Sequence, residues 1–91
     1  MQQQMECVVR GRVQRVMFRD FVWRHARRLR LVGRVHNRKD GSVLVVAEGD
    51  EESLQKLRAR LHRGPLLARV DAVEVRLGPA TGQFTNFSIA H

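Results

Sequence analysis

Cysteine occurs once in this chain, at position 7, so no internal disulfide can form. Cys7 sits among alternating apolar residues and reads as a buried thiol, which fits a reducing, cytoplasmic setting. No apolar run approaches the length of a membrane-spanning helix, so no membrane association is expected. Residues 1–4 have neither a basic nor an apolar leader region, so no secretory signal is expected. Tyrosine is absent, and Trp23 and the phenylalanines form no basic–aromatic strand platform of the kind that reads single-stranded RNA. The four histidines have no zinc-type spacing and only one cysteine to join them, so no metal site is expected. Ser42, Ser53 and Ser88 lack a nucleophile elbow. The carboxylates are few and scattered.

Acidic residues are also scarce. Nine face seventeen basic ones, giving a formal charge of +8, and fifteen of the basic residues are arginine. Such a balance favours anionic partners, from nucleic acid to small acidic metabolites. Most of these arginines fall on outward faces of the expected elements, where a solvated surface is the simpler reading. With 91 residues the chain makes one domain, 1–91, and 43% hydrophobic residues suffice for a thin core.

What is present is periodic. Residues 5–13 alternate, with Met5, Cys7, Val9, Gly11 and Val13 on one face, which predicts a half-buried strand. Over residues 20–31 the period changes. Val22, Ala26 and Leu29 form a helical stripe with Phe18 one turn earlier, Asp20 suits the helix N-terminus, and Gly33 is the expected stop. Residues 35–38 and 42–48 read as strands around Asp40-Gly41, a hairpin signal. Asp50 is positioned to cap a helix carrying Leu54, Leu57 and Leu61, which Gly64-Pro65 ends. Residues 70–77 and 84–89 complete the strands. The order βαββαβ plus a terminal strand predicts an α+β, ferredoxin-like sandwich: an antiparallel sheet with two helices on one face and a short C-terminal strand.

The chemistry concentrates in the run Gly11-Arg12-Val13-Gln14-Arg15-Val16-Met17-Phe18-Arg19, which joins the first strand to the first helix. Backbone N–H groups at a helix start lack intrahelical partners and favour an anion. Arg19 adds a two-pronged donor suited to phosphate. There is no Gly-Lys-Ser/Thr, so a nucleotide triphosphate with magnesium is unsupported. Asn37 closes the next strand. If that strand lies beside the first, its amide can reach the loop and hold a water in line with a phosphorus atom.

These pieces resemble the acylphosphatase family. The match runs through Gly11-Arg12-Val13-Gln14, Val16, Phe18-Arg19, Gly33, Val35, Asn37 and Asp40-Gly41-Ser42-Val43. It continues through Glu48-Gly49-Asp50, Arg63-Gly64-Pro65, Ala68-Arg69-Val70 and Phe87-Ser88-Ile89, nearly the whole chain in one register. The resemblance implies hydrolysis of the carboxyl–phosphate bond of a small-molecule acyl phosphate to carboxylate and inorganic phosphate, the latter bound as product or inhibitor. It implies that Arg19 and the N–H groups of Gln14, Arg15, Val16, Met17, Phe18 and Arg19 bind phosphate while Asn37 positions water. No metal, cofactor or covalent intermediate is implied.

Two positions depart from the family. Arg15 stands where glycine is usual. A positive φ there would cost a side chain roughly 1 kcal/mol or more. Arg15 either tilts the N–H groups of the cradle or points outward and adds charge for anionic substrates. Arg34 replaces a frequent aromatic, on an expected sheet surface. A free-standing cytoplasmic monomer with no nucleic-acid partner is expected. The alternative is a catalytically weak basic module on the same fold that binds RNA or an acidic protein.

Overall fold

The computed structural model describes residues 2–90. Their order is β1 (Gln2–Arg12), α1 (Phe18–Arg28), β2 (Val32–Asn37), β3 (Val43–Asp50), α2 (Glu51–Arg63), β4 (Arg69–Pro79) and β5 (Phe87–Ile89). The strands form one sheet in the order β4-β1-β3-β2-β5. The four long strands pair antiparallel, and β5 joins the edge parallel to β2. This is the expected α+β, ferredoxin-like sandwich, with a sheet that becomes mixed at its last strand.

Strand alternation sorts the two faces. Met5, Cys7 and Val9 pair with Ala47, Val45 and Val43, and Val35 pairs with Val45. All are fully buried on the helix side. Helix α1 adds Phe18, Phe21, Val22 and Ala26, and α2 adds Leu54, Leu57 and Leu61, to one continuous core. On the opposite face Arg10, Arg34, Glu74 and Arg76 stand in or near water.

Several boundaries differ from the sequence expectation. Helix α1 ends at Arg28, well before Gly33. Arg30 takes a left-handed φ of 58°. Its N–H donates to Arg27 O at 3.0 Å, and the Leu31 N–H donates to Ala26 O at 2.9 Å. That pair of bonds closes the helix, with arginine where glycine is usual. Gly33 serves the sheet instead. A Cβ there would lie 1.9 Å from Val46 O, so glycine lets β2 approach β3. Asp50 occupies the start of α2, but its side chain makes no capping bond and accepts from Gln2 Nε2 at 3.1 Å. The last strand is paired only over Phe87–Ile89. Before it, the chain is tied to Glu48, which accepts from Thr81 and Gly82.

Strand β3 also separates β2 from β1, so these two are not neighbours as the sequence suggested. Because each is antiparallel to β3, they run parallel to one another. Their C-terminal ends therefore meet at the same end of the sheet. Asn37 stands opposite Val43, which stands opposite Val9, so Asn37 points to the helix side.

Candidate active site

The register of β1 against β4 shifts between Arg10 and Gly11, and the strand bends there. Gly11 has φ 129°, and a Cβ on it would lie 2.2 Å from Arg69 O. The bend turns the chain into the loop 13–17. Val13 and Val16 are buried and root that loop in the core. Gln14 braces it from the side, its Nε2 donating to Arg38 O at 2.7 Å and Ser42 O at 2.9 Å.

Within the loop the sign of φ alternates. Arg15 has φ 64° and Met17 φ 65°, while Gln14 and Val16 are not positive. Such alternation turns successive backbone N–H groups toward one concavity, an arrangement suited to anions. Among the described residues the N–H groups of Arg15, Val16 and Met17 make no hydrogen bond. Met17 is also the N-cap of α1 and supplies no side-chain cap, so the helix N-terminus stays open beside them.

The concavity opens into a cavity of about 280 Å³ lined by Val13, Arg15, Met17, Phe18, Arg19, Asp20, Asn37 and Ile89. Arg19 is half-buried there, and its Nη1 donates to Ala90 O at 3.3 Å. Asp20, the one carboxylate in the lining among the described residues, accepts from Arg24 Nε at 3.0 Å. Asn37 Oδ1 is buried and, among the described residues, accepts no hydrogen bond. No group of three or more His, Cys, Asp or Glu converges among the described residues. No helix there is long and apolar enough to cross a membrane.

Arg19, Asn37, Arg15, Met17 and Phe18 thus share one cavity. Gln14 and Val16 do not line it: the first faces the β2–β3 hairpin and the second the core, so each can offer only its backbone. Sequence reasoning missed Ile89, which the parallel docking of β5 on β2 brings to the wall. It also missed the left-handed Met17, which no local signal marks. Asp20 was missed as well, because its sequence signal is only that of a helix-start residue.

The acylphosphatase family profile matches residues 5–89. The chain belongs to the acylphosphatase family. It is 49% identical over 82 residues to the acylphosphatase of Methylococcus capsulatus, covering 90% of this chain and 89% of that one. It is 44% identical to that of Salinibacter ruber, over 89% and 85% of the two chains. The crystal structure of acylphosphatase from Bacillus subtilis superposes with a TM-score of 0.95 at 36% identity, covering 98% of this chain and 99% of that one. The fold also occurs inside a larger protein, full-length HypF in a phosphate- and nucleotide-bound form. There the TM-score is 0.92 at 26% identity, over 100% of this chain and 12% of that one. As an acylphosphatase the protein is a hydrolase, and the family brings a small-molecule acyl phosphate as its substrate class.

Proposed function

We propose that this acylphosphatase cleaves acyl phosphates without a metal, a cofactor or a covalent intermediate. The loop N–H groups and Arg19 hold the phosphoryl oxygens, and Asn37 orients the attacking water. The observation that carries this reading is that Asn37, whose buried Oδ1 has no partner among the described residues, lines the same cavity as Arg19. A buried acceptor left unsatisfied costs about 1–3 kcal/mol, so its retention calls for a donor supplied by a ligand or water.

The chemistry asks for little more. A carboxylate leaves readily, and a loose phosphoryl-transfer transition state needs alignment and charge stabilisation. Water oxygen bonds to phosphorus as the bond from phosphorus to the acyl oxygen breaks, releasing carboxylate. An amide is a poor base, so the proton passes to a phosphoryl oxygen of the substrate. Among the described residues the one carboxylate in the lining, Asp20, is engaged by Arg24, which supports a metal-free site.

Hydrolysis of acetyl phosphate with a chelator present, beside a phosphate monoester, tests the reading. Cleavage of acetyl phosphate alone is expected. A requirement for divalent metal, or equal cleavage of the monoester, overturns it. The reading includes a cytoplasmic monomer, supported by the buried free thiol of Cys7 and by the high net charge.

One observation favours the second reading, a basic binding module. Arg24, Arg28, Arg60 and Arg63 gather round His25 on the two helices. Burial first, and then these charges, hold that imidazole below its ordinary pKa. Salt-dependent binding of RNA without acyl-phosphate hydrolysis would favour it.

A further inference from the structure

The acyl-phosphate reading uses the backbone N–H of Arg15 but leaves its side chain unused. Its φ of 64° is a conformation in which a side chain costs roughly 1 kcal/mol. Its side chain is exposed at the cavity that also holds Arg19 and Asn37. Among the described residues Arg15 makes no ion pair and no hydrogen bond, so no internal contact explains the guanidinium.

The phosphoryl group already has the loop N–H groups and Arg19. A further positive charge on the same cavity acts on whatever part of the substrate lies beyond the phosphorus. The neighbouring wall residues Val13, Met17, Phe18 and Ile89 are apolar and offer a polar substituent nothing. The negative charge of Asp20 is tied to Arg24, 3.0 Å away. A cavity of about 280 Å³ lies at the small end for ligand pockets, which suits a short acyl chain.

We propose that Arg15 makes this enzyme selective for short acyl phosphates whose acyl group carries a second negative charge, such as the monoacyl phosphates of dicarboxylic acids. Arg15 pairs with the distal carboxylate while the loop and Arg19 hold the phosphoryl end. The fork of a guanidinium matches both oxygens of a carboxylate, whereas an ammonium acts on it only as a point charge.

The inference rests on the acyl-phosphate reading and is tested by a ratio. Succinyl phosphate and butyryl phosphate have the same carbon count and differ in one carboxylate. The wild-type kcat/KM ratio of the first to the second is expected to be about 1.5 to 5, the range for one exposed ion pair. It falls to near one in Arg15→Gln, below one in Arg15→Glu, and stays intermediate in Arg15→Lys. A ratio is read because Arg15 belongs to the loop and any variant shifts both rates.

The wild type alone supplies a second test. Raising salt from about 20 mM to about 500 mM should collapse its ratio by screening. A wild-type ratio near one, a ratio unmoved by salt, or equal ratios in wild type and Arg15→Gln would overturn the inference while leaving the enzyme an acylphosphatase. Failure of the wild type to cleave either compound would instead overturn the acyl-phosphate reading and this inference with it.

Discussion

Gln14 and Ser42 are joined across two connections of the fold: Gln14 Nε2 donates to Ser42 O at 2.9 Å, and also to Arg38 O at 2.7 Å. One amide thereby ties the anion loop to the β2–β3 hairpin that follows Asn37. The hairpin is itself closed by Ser42 N and Oγ donating to Asp40 and by Arg38 N donating to Ser42 O. The sheet brings the two halves of the site together, and this bridge holds the loop against the hairpin beside Asn37.

Gln14→Ala should cost about 1–2 kcal/mol of stability, since two part-buried carbonyls lose a donor. The larger effect should be on turnover. Misplacement of the loop relative to Asn37 is expected to lower kcat by about 10- to 100-fold, the usual sensitivity to small errors of alignment. Urea unfolding and steady-state kinetics check the two parts. A stability loss with unchanged kcat would make Gln14 a fold residue only.

Asn37 should behave in the opposite sense. Its Oδ1 is a buried acceptor without a partner among the described residues, so removing it relieves a cost. Asn37→Ala is expected to hold stability within about 1 kcal/mol while lowering kcat by about 10²-fold or more, with phosphate binding retained. Retained turnover would sink the water-orienting role. Arg19→Ala gives the contrast, losing phosphate affinity and turnover together.

How much of this was legible follows from the range of each signal. The core stripe Met5, Cys7 and Val9 and the helix stripe Leu54, Leu57 and Leu61 are local periodicities, and the element order followed from them. Arg19 and Asn37 were readable as polar residues at element ends. The orphaned Oδ1 was not, because it depends on what every other strand leaves around it. Ile89 could not be placed, since a short strand does not declare whether it docks parallel. The end of α1 was misplaced because Gly33 carries the usual stop signal, whereas the left-handed residue that closes the helix is an arginine.

That last point gives a stability prediction away from the site. Arg30 is exposed and holds φ 58°. The closing bonds from its own N–H and that of Leu31 do not involve its side chain. Arg30→Gly should therefore stabilise the protein by about 0.5–1 kcal/mol, the relief of left-handed strain less the added unfolded-state entropy. Acetyl phosphate turnover should not change. Destabilisation by thermal or urea unfolding would mean the arginine side chain holds the helix end.

Glu48 links acid stability to the placement of β5. It is buried and accepts from Thr81 N at 3.0 Å, Thr81 Oγ1 at 2.7 Å, Gly82 N at 3.1 Å and Gln4 Nε2 at 2.8 Å. Burial by itself raises the carboxyl pKa, but the donors from Thr81, Gln4 and Gly82 outweigh it and hold the group below its ordinary 4.5. A carboxyl lowered in the folded state contributes stability that is present above its unfolded pKa and is lost as pH falls through the folded value. Stability is thus expected to fall as pH drops below about 4.5. Asp40 adds to this loss, since hydrogen bonds from Ser42 bring it down to about 2. Glu48→Gln presents an amide to several N–H and O–H donors and should cost about 1–3 kcal/mol near neutrality. The wild type should lose that advantage as Glu48 protonates, so the gap between the two proteins should narrow as pH falls below about 4.5. Urea midpoints measured across that range test the assignment, and a gap that stays constant with pH would remove the carboxylate as its cause. Because the Glu48 anchor holds the chain crossing from β4 to β5, loosening it should also displace Ile89 from the cavity wall, raising KM for acyl phosphates in the variant even where it remains folded.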